Sequence, residues 1–388
     1  MQIIEVKDKN TEKDFLRVPE IIYKDDKSWI PHLESDMKAV FDPEKNHQFK
    51  SGVLKRWILK NADNELIGRI AAFINKKLAY TYKQPTGGFG FFECIDDQQA
   101  AFLLFDTAKN WLKERGMQAM DGPINFGEKD RYWGLMVDGH QNQPPYLLSY
   151  NPQYYRAHFE AYGFQTYYEQ YVYRIYADTV LPPIMEKKFQ RLTETQGYHF
   201  EHLKLKNIEK YAEDFLTIYN KAWSEAHENF QPMTREKAIR TFKKMRIVVD
   251  EKLVIFAYHN NEPVAFFINI LDINQILKHI KGKMNIWGKL QFLYHKWRGT
   301  CRVMYGIVFG VVPKYQNRGL ETGLIMELKN TVVPRQYYKS LIITWIGDFN
   351  PKMIKLMDHI GAKKEHTLIT YRKLFDDALV FERHPVIN

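Results

Sequence analysis

A short helix opened by Asn-Pro, ended by a glycine and followed by a strand finishing in Tyr-Arg occurs twice, from Asn151 to Gly163 and from Asn350 to Gly361. Neither copy can bury its apolar face alone, so the elements that cover the first must be rebuilt around the second. The surroundings do repeat in order. In the first half IIEV, VLKRWIL, ELIGRIAAFI and GGFGFFEC read as strands, and QQAAFLLFDTAKNWLKERG reads as a helix. That helix carries an apolar stripe of Phe102, Phe105, Ala108 and Leu112, with Asp97 placed to cap its start and Gly116 to end it. QTYYEQYVYRI then closes the half. The second half offers HFEHLKL, a mainly helical stretch from 207 to 247, the hairpin LVIFAYHNNEPVAFFINIL and the long strand RVMYGIVFGVV. A helix with Leu320, Leu324, Leu328 and Val332 on one face follows, then SLIITWI, the second Asn-Pro helix and HTLITYRKL.

Strands and helices alternate throughout, which predicts an α/β (α+β) fold of two similar domains in tandem, each a mixed, mostly antiparallel sheet flanked by helices. A chain of 388 residues can supply two cores. The Leu181-Pro182-Pro183 stretch places the division at 1–180 and 181–388. Only Cys94 and Cys301 occur, which excludes a disulfide framework, and no Cys, His or carboxylate spacing suits a metal. With no apolar leader and no apolar run of about 18 residues, the chain reads as cytoplasmic.

Charge is distributed unevenly. From Ile273 to Leu320 there is no Asp or Glu, while nine Lys and Arg residues nearly account for the whole formal excess of +10. Such a block aims positive potential at an anionic partner. Part of it, NQILKHIKGKMNIWGKLQFLYHKWR at 274–298, interrupts the second half between two strands. Ile276, Ile280, Met284, Trp287, Leu290, Tyr294 and Trp297 recur there at three or four, which predicts a basic amphipathic helix. The insertion, taken as 273–300, either lies on an anionic membrane surface or packs on the first domain.

VVPKYQNRGLETGL, at 311–324, joins a strand to a helix through a glycine turn. The first amides of a helix are unpaired and its dipole adds partial positive charge, so this turn is an anion site strengthened by Lys314 and Arg318. The order strand, turn, helix, strand, short Asn-initiated helix resembles the GNAT superfamily of CoA-dependent N-acyltransferases. That resemblance implies that the amides of Val311, Val312, Gln316, Asn317, Arg318, Gly319 and Leu320 hold the CoA pyrophosphate, with acetyl-CoA or a longer acyl-CoA as co-substrate. Gln316 to Gly319 match the superfamily's turn, whereas Glu321 stands where it carries Gly or Ala, and Gly323 is the residue that would relieve the crowding. The first half has Cys94-Ile95-Asp96-Asp97 at the corresponding turn, which implies a degenerate copy. Many GNAT members keep a Tyr acid four residues before the glycine that ends the short helix, and here those positions are Met357 and Phe159. Several segments, among them GPINFGEKDRYWGLMVDG and TWIGDFNPKM, look like a bacterial group of tandem GNAT-like proteins with relatives implicated in acylating long-chain amino-alcohols.

The resemblance implies transfer of an acyl group from acyl-CoA to a primary amine, including a lipid amino-alcohol. N-acyl transfer needs a base for the amine's proton. Asp348, after SLIITWI where the sheet should open, is the favoured base, although Asp348 or Asn350 can equally cap the following helix. Glu225 and His227 compete with it, and Tyr305 can orient substrate. The long loop from Asp121 to Asn151 reads as a lid on an acceptor pocket between the halves. Two rivals remain, an aminoacyl-tRNA-dependent transferase and a catalytically inactive GNAT-fold binding protein. For a lipid acceptor, the chain would attach peripherally at the inner membrane face through 274–298.

Overall fold

A computed structural model describes residues 1–224 and 232–387. The first half runs β1 (Gln2–Glu5), α1 (Lys9–Ile22), α2 (Glu34–Phe41), β2 (Gly52–Lys60), β3 (Leu66–Asn75), α3 (Lys76–Ala79) and β4 (Thr86–Cys94). It continues with α4 (Gln98–Lys113), β5 (Ala119–Gly122), β6 (Leu135–Asp138), α5 (Tyr155–Ala161) and β7 (Gln165–Tyr176). After α6 (Pro183–Glu194) come β8 (Tyr198–His202), α7 (Ile208–Ser224), α8 (Arg235–Met245), β9 (Val254–His259) and β10 (Glu262–Leu271). The insertion forms α9 (Asn274–Ile280) and α10 (Ile286–Trp297); β11 (Val303–Val311), α11 (Leu320–Val332), β12 (Ser340–Gly347), α12 (Pro351–His359) and β13 (Lys363–Leu374) complete the second half.

The repeated order is therefore present, but the sheets are fused by an exchange of closing strands. The strand order is β1-β2-β3-β4-β5-β13-β7-β12-β11-β10-β9-β8, with β6 attached to β13. β7, from the first half, pairs with β12 of the second, while β13 returns to pair with β5 of the first. The two exchanged strands pair antiparallel with each other at the centre, from Lys363 opposite Arg174 to Arg372 opposite Gln165. A duplication makes this possible, because each closing strand fits the other's slot. Ion pairs seal it: Arg372 grips Asp121 in a buried two-bond contact at 2.7 and 2.8 Å, and Arg174 donates to Glu365 at 2.8 Å.

Local signals in the sequence hold where they are mechanistic. Asp97 accepts from Ala100 N–H at 2.9 Å and caps α4, whose Phe105, Ala108 and Leu112 are buried. Gly116, Gly163 and Gly361 all lie at positive φ. Asn151 departs from its counterpart: instead of capping a helix, its side chain bonds both the N–H and the carbonyl of Met136, pinning β6.

The reading of 274–298 as one amphipathic helix is corrected. Lys281 and Gly282 adopt positive φ and break it into α9 and α10, with Gly282 against the His32 carbonyl. Ile276, Leu277 and Ile280 of α9 then pack with Ile30 and Leu33 of the first half.

Candidate functional site

The site is built where β11 and β12 part. These parallel neighbours pair over four positions, from Val303 opposite Ser340 to Gly306 opposite Ile343, and no further. Both strands are bulged at that point: β11 shifts register against β10 between Ile268 and Asn269, and β12 shifts against β7 between Ile343 and Ile346. A bulge bends its strand and reverses which face the following side chains take. Met304 and Phe309 therefore line one and the same cleft.

This cleft occupies about 750 Å³, counted to its open mouth, in the valley between α11 and α12. Met304, Leu328, Leu341, Ile343, Met353 and Met357 line it, and Lys329 is its one charged lining side chain among the described residues. It continues to Tyr176, Ala177 and Val333 at the end where β11 and β12 begin. Its apolar lining is that of a small-molecule site.

At the opposite end of α11 lies the glycine turn. Pro313–Tyr315 form one tight turn, Asn317 and Gly319 take positive φ, and the helix begins with Gly323 N–H donating to the Gly319 carbonyl. No side chain caps α11, and among the described residues the amides of 317–322 bond to nothing. Gln316, Asn317 and Arg318 are exposed, while Val311, Val312 and Leu320 are buried and offer only backbone. Lys314 and Arg318 both stack over the Tyr315 ring, at 5.7 and 5.4 Å. Glu321 is half-buried in the first helical turn and takes no hydrogen-bond or ion-pair partner among the described residues. Gly323 does not relieve crowding at the turn: a Cβ there would lie 2.6 and 2.7 Å from Phe200 and Leu192, so its bareness serves the packing of α11 on α6 and β8.

On the other face of the fork, Tyr305 is buried and its hydroxyl lies near the side chain of Thr344, the first β12 residue beyond the paired stretch. Burial pushes its phenol pKa up, so it is a neutral phenol. The loop that follows β5 crosses from the first half onto this face. Its Lys129 carbonyl accepts from Trp345 Nε1 at 2.9 Å, and Glu128 lies 3.5 Å from Lys237 of α8. Trp133 is tied to Tyr168 at 2.8 Å, and Tyr168 stacks on Trp345.

Asp348 lies at the end of β12, its amide bonded to the Glu169 carbonyl and its carboxylate paired with Arg383. Asn350 accepts from Met353 N–H at 3.2 Å and is the cap of α12. Glu225 and His227 lie outside the described residues. Sequence reasoning missed Thr344 and Arg383. Thr344 had a signal, as the polar residue inside the apolar run SLIITWI.

The first half has the same fork without the cleft. β4 and β5 pair only from Thr86 to Gly88, yet Phe89, Phe92, Phe105, Phe159 and Phe164 fill the space beyond. Phe105 and Phe159 have ring centroids 4.9 Å apart, and Phe92 stacks on Phe105 at 4.7 Å. Phe159 stands where the second half has Met357. The corresponding helix start is occupied by the chain's own Asp97, with Asp96 3.3 Å from His158.

Comparison with known proteins agrees with this geometry. No protein-family model matches the chain. It is similar to Protein YghO of Escherichia coli, at 24% identity over 375 residues covering 94% of this chain and 93% of that protein. It is also similar to the Bacterial ceramide synthase of Caulobacter vibrioides, at 24% over 382 residues covering 96% and 97%. Among solved structures it resembles a tandem GNAT protein from the clavulanic acid biosynthesis pathway, with a TM-score of 0.55 and 11% identity over 97% of this chain and 99% of that one. A GCN5-related glucosamine N-acetyltransferase region in a fungal multi-domain GH3 beta-N-acetylglucosaminidase gives a TM-score of 0.56 and 11% identity, covering 96% of this chain and 38% of that one. The chain has the tandem GNAT fold.

Proposed function

We propose that this protein is an N-acyltransferase that moves an acyl group from acyl-CoA to a primary amine, and that the acceptor is a long-chain amino-alcohol. The observation that carries the reading is the pairing of an open apolar cleft with an uncapped helix start in one half, set against a plugged cleft and a self-capped helix in the other. A diphosphate fits the free amides of 317–322 beside Arg318, and a pantetheine arm fits the gap beyond Gly306 and Ile343. A fatty acyl chain fits the valley lined by Leu328, Leu341 and Met357.

The acceptor approaches on the opposite face, beneath the loop from the first half. Its amine nitrogen attacks the thioester carbonyl carbon, the carbon–sulfur bond breaks, and the ammonium proton passes to Asp348. The Tyr305–Thr344 hydroxyl pair at the apex of the fork orients the nucleophile. Met357 offers no proton, so CoA departs as a thiolate that solvent protonates. The likeness to a bacterial ceramide synthase supports the acceptor class, since a ceramide is the amide of a long-chain amino-alcohol.

The test is product formation, followed by mass spectrometry, from long-chain acyl-CoA and a long-chain amino-alcohol. Thermal-shift titration with acyl-CoA and with tRNA runs alongside. Amide product together with stabilisation by acyl-CoA supports the reading. Stabilisation by tRNA alone, or acyl-CoA binding without turnover of any amine, overturns it.

A further inference from the structure

The break at Lys281–Gly282 leaves α10 with an apolar stripe that no part of the described chain covers. Ile286, Trp287, Leu290, Leu293, Tyr294 and Trp297 recur along one side of the helix at 76, 75, 53, 58, 50 and 83% exposure. The opposite side is the one seated on the protein, through buried Gly288 and Phe292. Two tryptophans so exposed are costly in water and well suited to a boundary between water and hydrocarbon.

Charge selects the occupant. Lys289 and Lys296 fall along one border of the stripe and Arg298 along the other, and the 273–320 block holds no carboxylate to neutralise them. None of Lys283, Lys289, Lys296 and Arg298 enters an ion pair among the described residues, although Lys296 donates to the Ile247 carbonyl at 2.5 Å. A second copy of the chain is disfavoured, because a two-fold contact would set these cations against themselves. One face of a 12-residue helix is also too short to bury what a standard protein interface requires.

A second observation places the far end of the cleft at the same end of the strands as α10. The end of β11 that follows α10 is joined to the strands beside it by Lys339 N–H donating to the Arg302 carbonyl at 2.8 Å and Ala177 N–H donating to the Lys339 carbonyl at 2.9 Å. Tyr176 and Val333, at the cleft's mouth there, are 49 and 39% exposed, and nearby Val180 is 87% exposed.

We infer that α10 is a docking helix that seats on an anionic phospholipid bilayer, its Trp-rich stripe in the interface and its lysines at the headgroups, at the end of the strands where the apolar cleft opens. This inference does not depend on the acyl-transfer reading, and its test measures binding only.

Full-length protein is sedimented with vesicles of phosphatidylglycerol and phosphatidylcholine, and with phosphatidylcholine alone. The wild type is expected to pellet with the anionic vesicles, less so as salt rises, and to stay in solution with the neutral ones. Trp287→Ser/Trp297→Ser and, separately, Lys283→Glu/Lys289→Glu should each cut the bound fraction by roughly tenfold or more. These positions are solvent-facing, so an unchanged melting temperature verifies that each variant is folded. The inference is overturned if the wild type ignores anionic vesicles, if folded tryptophan variants bind as before, or if ultracentrifugation shows a dimer that those variants dissolve.

Discussion

Replacing Ala177 by Trp tests where the acyl chain lies. Ala177 lines the cleft at the end where β11 and β12 begin, is half-buried, and bonds through its backbone N–H to Lys339, which the substitution retains. An indole at this position shortens the valley from its far end and leaves the glycine turn and the fork untouched. If it displaces about four methylenes at ~0.8 kcal/mol each, a long-chain donor loses about 3 kcal/mol of binding. That corresponds to roughly two orders of magnitude in kcat/KM for long-chain donors, with acetyl-CoA changed by less than about threefold. Because the position is partly open, the fold should lose no more than about 1 kcal/mol, read from the urea midpoint. The assay is kcat/KM across a series of donors from acetyl to palmitoyl. An equal fall for every chain length would place the indole in the path of CoA itself. No change at any length would show that the acyl chain runs elsewhere, and either result refutes the assignment of this valley.

Three further outcomes follow from named contacts. Glu321→Gln removes an unpartnered carboxylate beside the proposed diphosphate cradle, so calorimetry should show CoA binding tighter by about 1 kcal/mol, roughly fivefold, at low salt and by less at high salt; weaker or unchanged binding would remove the diphosphate from that turn. Phe159→Ala takes a fully buried ring out of the plug in the first half, costing about 3–5 kcal/mol in a urea titration. It should still bind a single CoA per chain, and a second site would show that the plug alone blocks the first half. Asp272 is buried and accepts from Tyr146 N–H at 3.0 Å, and burial raises its pKa from 3.8 to about 6. A carboxyl whose folded pKa lies above its unfolded one favours the fold when protonated, so its contribution is full below about 4 and is lost as pH rises through about 6. Asp272→Asn should flatten stability over that window and stabilise the protein at pH 7 by up to about 3 kcal/mol; an unchanged pH profile of the melting temperature would refute it.

The elements were legible because their signals are local. The Asp97 cap, the terminal glycines and the stripe of Leu320, Leu324, Leu328 and Val332 depend on neighbours within a turn or two, and each stands in the structure. The exchange of β7 and β13 was not legible, for the reason that permits it. In a duplicated chain the native slot and the borrowed slot ask for the same alternation and the same Tyr-Arg ending, so pairing within a half and pairing across halves look alike in sequence. Asp121 and Arg372 show the difficulty, since nothing in either residue's surroundings announces a partner in the other half. The break in 274–298 was hidden because an apolar count at three or four spans a kink without noticing it, although Lys-Gly at 281–282 is the residue pair that turns the chain.

For the site, the glycine turn was readable as a unit, whereas Tyr305 and the 121–151 loop were readable only singly and their meeting with Thr344 was not. The turn is one continuous segment, whereas the opposite face of the fork assembles Tyr305 and Thr344 from two strands with a loop tip from the first half. This division explains why a plugged half is retained. With its own cleft filled by Phe89, Phe105 and Phe159, it supplies β7 to the working sheet next to β12 and lays its loop over the fork. β13, the last strand of the working half, in turn completes the sheet of the plugged one at β5. Neither half closes without a strand from the other, so whatever retains the open-cleft half also holds the first half in place, and the loop that covers the fork keeps a fixed footing.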